Sequence, residues 1–460
     1  MKHLQFNRIK RLYTARRCLV VVTVFYVGAS WSWILLSNVT KLADSAIIGY
    51  LIALFAFITL VSLSTFFYLK TIFYFMDKHW SKQVPIWAVP AFFIVWAAVE
   101  YVVSILSAII WFGKNGSLDT VLPFASLAPF AAHTPLRYLA RFVGFYGLSA
   151  TVMVLLAVVL VKNLRRYALL TWGIVLMAVC CAWAVYRVPS GPVVKSVIVS
   201  ETFDKKAKNL PGYYQLVVFP EYGIDQTGQR VDWKVTKSNG NFYFIGSERV
   251  DSDHGHKNVL IFGTERERII EERPKSRLIP GGEYIPYFVD VVLHGLHANH
   301  TLLFFENLSA VEKGPPNYQP LKTNNGYSIG SAVCASIIAS EDYRKFVNNG
   351  ASLLTNSASL GIFESRLFTF QHEGLAMFMA TANARPFLQS SNYAEAFALD
   401  HNGRMLARQS PVGAQEVLAN TNTKITPYTK LGDWPAYIGL VILAFYFLKR
   451  ARRLIIKRPK

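Results

Sequence analysis

Cysteine is scarce in this chain, with four in 460 residues. Cys18, Cys180 and Cys181 fall in apolar runs, so Cys334 stands alone in the polar part of the sequence. That placement excludes a disulfide framework there and leaves Cys334 without a local partner. An unpaired thiol in an oxidising compartment is a hazard, so a chemical role competes with the plainer reading of a small buried apolar side chain. Acidic residues are also few, 28 against 48 Lys and Arg, giving a formal net charge of +20. Such an excess can mark nucleic-acid binding. Here the basic residues crowd two ends, Lys2 to Arg17 and Lys449 to Lys460, and a short cluster at Lys162, Arg165 and Arg166. No nucleic-acid partner is expected from that distribution. Internal repeats and low-complexity tracts are absent. No clear A-x-A cleavage site follows the first apolar run, so that run is expected to stay uncleaved.

Apolar residues are plentiful: 52% of the chain, with a mean hydropathy of +0.28. They are concentrated in runs near or above the ~20 residues that a helix needs to cross a bilayer. Six spans are predicted: Cys18–Leu36, Ala46–Leu69, Val84–Trp111, Val143–Val161, Tyr167–Tyr186 and Trp434–Leu448. The positive-inside rule places the three basic clusters in the cytoplasm. Five spans then carry the chain outward and the sixth returns it, so the polar block from about Arg187 to Asp433 lies outside. The expected domains are 1–190 (membrane helices), 191–432 (extracytoplasmic) and 433–460 (last helix and basic tail).

Within the polar block, Val194–Ser200, Tyr214–Phe219, Asn241–Gly246, Asn258–Gly263, Tyr327–Val333, Ala351–Thr355 and Phe397–Leu399 read as strands, rich in Val, Ile, Phe and Tyr. Glu341–Asn348 and Glu364–Ala384 read as helices, and His294–Phe305 as an apolar insert. Alternating strands and helices predict an α/β layered fold.

Three groups there carry chemistry. Cys334 ends a predicted strand before a helix, where the helix N-terminus would favour an exposed thiolate nucleophile. Glu221 follows Pro220 at another strand end and can act as general base and acid. Lys275 can stabilise the thiolate and, with the backbone N–H of Ala335, the oxyanion of a tetrahedral intermediate. Taken singly, each has a bland reading: a solvated cap, a surface lysine, a buried thiol. Glu100 falls mid-span, where a carboxylate is either functional or a satisfied contact between helices. His294, His297 and His300 recur every third residue, but no carboxylate or cysteine motif joins them, so no metal or other cofactor is expected. His372 and Glu373 read as scaffold.

These stretches carry a resemblance. Phe219-Pro220-Glu221, Lys275 to Pro286 (KSRLIPGGEYIP) and Gly326–Cys334 (GYSIGSAVC) resemble the Glu–Lys–Cys motifs of the carbon–nitrogen hydrolase (nitrilase) superfamily. Trp96 with Glu100, Arg385-Pro386, Asn392, Asp400 to Gly403, and Thr426-Pro427-Tyr428 through Trp434-Pro435 extend it to the apolipoprotein N-acyltransferase family. The resemblance implies an αββα sandwich inserted before a C-terminal transmembrane helix. It assigns Glu221 as general base, Lys275 as oxyanion stabiliser, Cys334 as nucleophile and Glu283 as the brace of the lysine. It implies a phospholipid acyl donor, a thioester acyl-enzyme, a diacylglyceryl-cysteine lipoprotein acceptor, a bacterial inner membrane and a monomer. The chain also departs from the family. Its C-Y-E is Cys334-Ala335-Ser336 here, and its S-N-D-A-W-F-G is Ser357 to Phe363 (SASLGIF). The loop Glu201–Pro211 lacks the family's tryptophan, and six spans stand where eight are usual. Two alternatives therefore remain: a membrane-bound amidase or acyltransferase with another amine acceptor, and a non-catalytic lipid- or lipoprotein-binding paralogue.

Overall fold

The computed structural model describes residues 2–36, 46–80, 84–113, 123–202, 204–207, 214–224, 242–253, 255–265, 269–280, 283–299, 302–303, 311–361, 363, 365–410 and 412–456. Among them, six helices are long and apolar enough to cross a membrane: Arg16–Leu36, Ala46–Lys78, Ala88–Ile110, Pro135–Leu160, Lys162–Val185 and Trp434–Arg452. All six expected spans have a counterpart. The main helices of this part are α1 (Lys2–Trp31), α2 (Ala46–Lys78), α3 (Ala88–Ile110), α4 (Ala140–Leu160) and α5 (Ala168–Val185). The third starts later than the apolar run does. Pro85 lacks an N–H and precedes the helix, whereas Pro90 sits in its first turn, where no intrahelical donor is needed.

The helix α4 is broken near its start. Gly144 has φ +71°, and an added Cβ there would lie 2.3 Å from Asp433 Oδ1. The break frees main-chain donors, and Asp433 takes two of them: Phe145 N at 2.5 Å and Tyr146 N at 3.2 Å. Next to it, the Trp434 indole donates to the Phe142 carbonyl at 2.8 Å. Thus the last helix, Trp434–Ile456, is fastened to α4 at its first residues.

Between α5 and that last helix the described residues form a twelve-stranded sheet. Its main path runs β5-β4-β3-β2-β1-β9-β8-β7-β6, with β12 also on β1, and β10 and β11 extending from β9. The strands are β1 (Val193–Glu201), β2 (Leu216–Glu221), β3 (Tyr243–Ser252), β4 (Gly255–Thr264), β5 (Glu271–Pro274), β6 (Leu321–Lys322), β7 (Ser328–Val333), β8 (Leu353–Ser359), β9 (Phe387–Asn392), β10 (Ala396–Leu399), β11 (Met405–Gln409) and β12 (Gly413–Asn420). The pairs β1–β2, β2–β3, β1–β9, β8–β9 and β7–β8 are parallel.

Alternation along the strands builds two apolar faces. Ile198, Val218, Ile245, Phe262, Ile329 and Leu388 share one buried cluster, although they come from strands far apart in the sheet order. Such a cluster requires the sheet to curl until its two arms face each other. The arms meet where Tyr243 of β3 and Tyr327 next to β7 stack edge-on at 6.5 Å, and where the Asn324 amide donates to Tyr243 Oη at 2.8 Å. The intervening residues Val197, Val199, Val217 and Phe219 form the outer face of one arm, packed on Ala207, Tyr214 and Ile224. The outer face of the other arm, including Leu354 and Phe387, packs on α7 (Ser340–Asn348) and α8 (Arg366–Ala382). That cluster continues into Trp31, Phe124 and Phe145, so the sheet-and-helix part and the bundle share one core. A further helix, α6 (Tyr287–Gly295), sets Val289 and Leu293 against Ile48 and Ile52 at the start of α2. The apolar insert expected at 294–305 is thus in part the end of this helix. His300 lies outside the described residues.

Candidate active site

Parallel strands leave their carboxyl ends along one edge, the usual place for side chains that act on ligands in α/β sheets. Glu221 ends β2, Asn392 ends β9 and Cys334 follows β7. Curling brings these ends together. Lys275 arrives from the adjacent antiparallel edge, one residue after β5.

The structure places Lys275 Nζ 3.0 Å from Glu221 Oε1 and 2.8 Å from Glu283 Oε1. The second oxygen of Glu283 accepts from Ile279 N at 2.7 Å, which holds the carboxylate at the lysine. The Cys334 sulfur lies 3.6 Å from the Ser359 carbonyl, and the thiol is close enough to the Glu221 carboxylate for each to alter the other's proton affinity. All four side chains are buried, none more than 6% exposed. Two backbone outliers accompany them: φ is +47° at Cys334 and +59° at Tyr222. Left-handed non-glycine residues of this kind cluster at functional sites, where surrounding structure over-determines the strain.

Burial and mutual charge set the proton affinities. Burial pushes the Glu221 carboxyl above the ordinary range; Lys275 opposes that push and Glu283 adds to it. Burial disfavours the Lys275 ammonium, but Glu221 and Glu283 outweigh it and hold its pKa well above the usual value. Burial also pushes the Cys334 thiol well up, and the Glu221 charge pushes it further, against the Lys275 cation. These directions favour a protonated amine and a neutral thiol, and they raise the proton affinity of the Glu221 carboxylate.

This corrects one expectation. Cys334 is 3% exposed, and only a short 3-10 turn, Cys334–Ile338, follows it before α7. Among the described residues no long helix starts at the sulfur, and its burial does not fit an exposed, dipole-stabilised thiolate. Ala335 is the second residue of that turn.

Other expected residues lie apart or act indirectly. Asn392 donates from Nδ2 to the Glu221 carbonyl and so buttresses the strand end that carries the carboxylate. Arg385 is fully buried, with Nε on the Ala351 carbonyl at 2.7 Å and Nη1 on that of Lys424 at 2.6 Å, which makes it a clasp between loops. Glu100 sits inside the helical bundle. It accepts from Trp96 Nε1 at 2.9 Å, Ser126 Oγ at 2.9 Å and Ser149 Oγ at 2.6 Å, a satisfied contact between helices. His372 pairs with Gln389 Oε1 at 2.8 Å, and burial lowers its pKa to about 4, so it remains neutral scaffold. His294 bonds its own helix carbonyl at Asp290.

Sequence reasoning missed Asn258. It is 1% exposed at the inner part of β4. Its side-chain Nδ2 donates to Glu221 Oε1 at 2.5 Å, and its carbonyl accepts from Lys275 N at 2.7 Å. The signal was a lone Asn opening the apolar run Val259–Phe262. Arg277 was missed as well. It forms a two-pronged buried pair with Asp342, Nη2 to Oδ1 at 2.8 Å, which ties the segment after Lys275 to the helix after Cys334.

No family model matches the chain. A protein of Photobacterium profundum named apolipoprotein N-acyltransferase is 31% identical over 192 residues, 40% of this chain and 36% of that protein. One of the same name from Vibrio vulnificus is 28% identical over 188 residues, also 36% of its length. One from Shewanella oneidensis is 23% identical over 362 residues, 69% of this chain and 68% of that protein. The matches to the first two therefore span little more than a third of those relatives. Among solved structures, a carbon–nitrogen hydrolase from Helicobacter pylori superposes with a TM-score of 0.36 at 13% identity, covering 50% of this chain and 89% of that one. An amidase from Nesterenkonia sp. gives 0.34 at 12% identity, covering 51% and 93%. By sequence, the chain is a divergent relative of the apolipoprotein N-acyltransferases.

Proposed function

We propose that the protein is an N-acyltransferase of the bacterial inner membrane. It moves a fatty acyl chain from a phospholipid to the N-terminal amine of a diacylglyceryl-cysteine lipoprotein. The observation that carries this reading is the buried contact of Glu221, Lys275 and the Cys334 thiol, with the lysine 3.0 Å from the glutamate. The relatives' shared name supports the substrate class. The site would occupy an extracytoplasmic unit at about 191–432, between five spans and a sixth, with both termini cytoplasmic.

In the first half-reaction Glu221 takes the thiol proton as sulfur bonds to the ester carbonyl carbon. The Lys275 ammonium and the Ala335 N–H stabilise the oxyanion. Collapse breaks the ester C–O bond, Glu221 returns the proton to the leaving oxygen, and a lysophospholipid departs. In the second half-reaction the acceptor amine attacks the thioester carbonyl and Glu221 takes a proton from nitrogen. The C–S bond breaks, an amide forms and the proton returns to sulfur. This is ping-pong chemistry. Intact mass after incubation with phospholipid alone tests it. One acyl chain gained on Cys334, and absent from Cys334→Ala, is the expected result; an unmodified protein overturns it.

A second reading keeps the thiol chemistry and changes the acceptor. Ala335 and Ser336 stand where the family has tyrosine and glutamate, which favours a different amine or water as the second substrate. An acyl adduct on Cys334 together with unchanged lipoprotein N-termini in a deletion strain would select it. The burial of the sulfur favours a third, non-catalytic reading. Failure of an acyl-directed thiol probe to label Cys334 in membranes would select that one.

A further inference from the structure

The far ends of the apolar helices carry a feature that the acyl-transfer reading does not use. The first turn of α2 packs on α6 beside the sheet, and the last helix starts at its bond to α4. Lys78 at the end of α2 and Arg450 near the end of the last helix therefore lie at the opposite end of the bundle. There the rings of Tyr74 and Tyr446 meet edge-on at 6.2 Å. Arg450 follows Tyr446 by one helical turn on the same helix face, and the Lys78 ammonium lies 5.0 Å from the Tyr74 ring centre. Two cations and two phenols from two helices converge on one spot. Among the described residues, neither cation has a carboxylate partner. Asp77, the neighbouring acid, is held by Arg16.

We propose that this spot binds the phosphate of an anionic phospholipid headgroup. A guanidinium and an ammonium match phosphate oxygens, the first with paired donors and the second as a point charge. Both phenols are a little over one third exposed and can donate to the same oxygens. On the same two helices Phe66, Phe445 and Leu448 are exposed apolar surface along which acyl chains can lie. A zwitterionic headgroup would bring its own ammonium against Lys78 and Arg450, with no carboxylate to receive it. Basic pockets between membrane helices select anionic lipids on these grounds.

The test uses the full chain, delipidated in detergent and examined by native mass spectrometry with phosphatidylglycerol or phosphatidylcholine at equal concentration. Phosphatidylglycerol should be retained preferentially. Lys78→Gln with Arg450→Gln should cut that retention roughly tenfold or more, because a charge-assisted hydrogen bond to a phosphate oxygen contributes on the order of a tenfold factor. The charge-keeping pair Lys78→Arg with Arg450→Lys should keep most of it. Lys162→Gln with Arg165→Gln, at the same end of the bundle, should change it less than about twofold. Equal losses from both Gln pairs would reduce the effect to diffuse attraction and overturn the site. So would unchanged retention in the Lys78/Arg450 variant, or displacement of the lipid by millimolar inorganic phosphate or glycerol phosphate.

Discussion

Glu283 holds Lys275 together with Glu221, with 2.8 Å between Glu283 Oε1 and Nζ. One cation thus serves two buried carboxylates. Breaking a buried pair by removing one partner costs about 3–5 kcal/mol, because the remaining charges stay uncompensated. Lys275→Met should therefore lower the thermal unfolding midpoint at neutral pH as well as abolish acyl-enzyme formation. Much of the lost stability should return in acid, where the two carboxylates take up protons. A variant as stable as the parent at pH 7 would show that the lysine does not carry this balance.

Asn258 should govern the pH dependence of the thiol. Its amide donates to Glu221 Oε1 and so favours the ionised carboxylate. Burial already raises the Glu221 pKa, so the base is lost as pH falls through that raised value. Asn258→Leu removes the donor and should raise the pKa further. The acidic limb of the rate of Cys334 alkylation by iodoacetamide should then move to higher pH. A purely structural role would lower the rate without moving the limb.

The left-handed backbone at Cys334 makes its own prediction. A side-chain-bearing residue at φ +47° costs about 1–2 kcal/mol relative to glycine, which visits that region freely. Both Cys334→Ala and Cys334→Gly should lose the acyl adduct. Of the two, Cys334→Gly should unfold at the higher temperature, by up to about 1 kcal/mol once glycine's extra chain entropy is offset. The reverse order would mean that the strain is absent.

At the break in α4, Gly144→Ala should destabilise strongly, since its Cβ would fall 2.3 Å from Asp433 Oδ1. Asp433→Ala leaves the Phe145 and Tyr146 amides buried without their acceptor and should cost about 1–3 kcal/mol for each. Thermal unfolding in detergent reads both, and Asp433→Asn, which keeps one acceptor oxygen, should fall between Asp433→Ala and the parent.

The apolar spans were legible because nothing but a bilayer or a large core tolerates runs of that length. Strands β1 to β4, β7 and β10 were legible through their Val, Ile and Phe content, and β8 through the pair Leu353-Leu354. Strand β9 (FLQSSN) was missed because it is buried yet polar. Its Gln389 pairs with His372, Ser390 donates to the Val218 carbonyl, and Asn392 donates to that of Glu221. Strands β11 and β12 were missed because half-exposed residues dilute their patterns. In the site, Glu221, Lys275, Glu283 and Cys334 were legible as motifs. The exposure of the sulfur was not, because it depends on how far the sheet curls, and that is a property of contacts between distant strands. Asn258 read only as the first residue of a strand; its reach across β3 to Glu221 depends on pairing between strands, which the sequence does not display.

The fastening of α4 by Asp433 also has a bearing on biogenesis. Residues near 144 leave the ribosome long before residue 433 exists, so the bend has no acceptor for its open amides during most of translation. The early helices must then wait in a provisional arrangement, and the carboxylate delivered by the final hydrophobic segment completes the bundle.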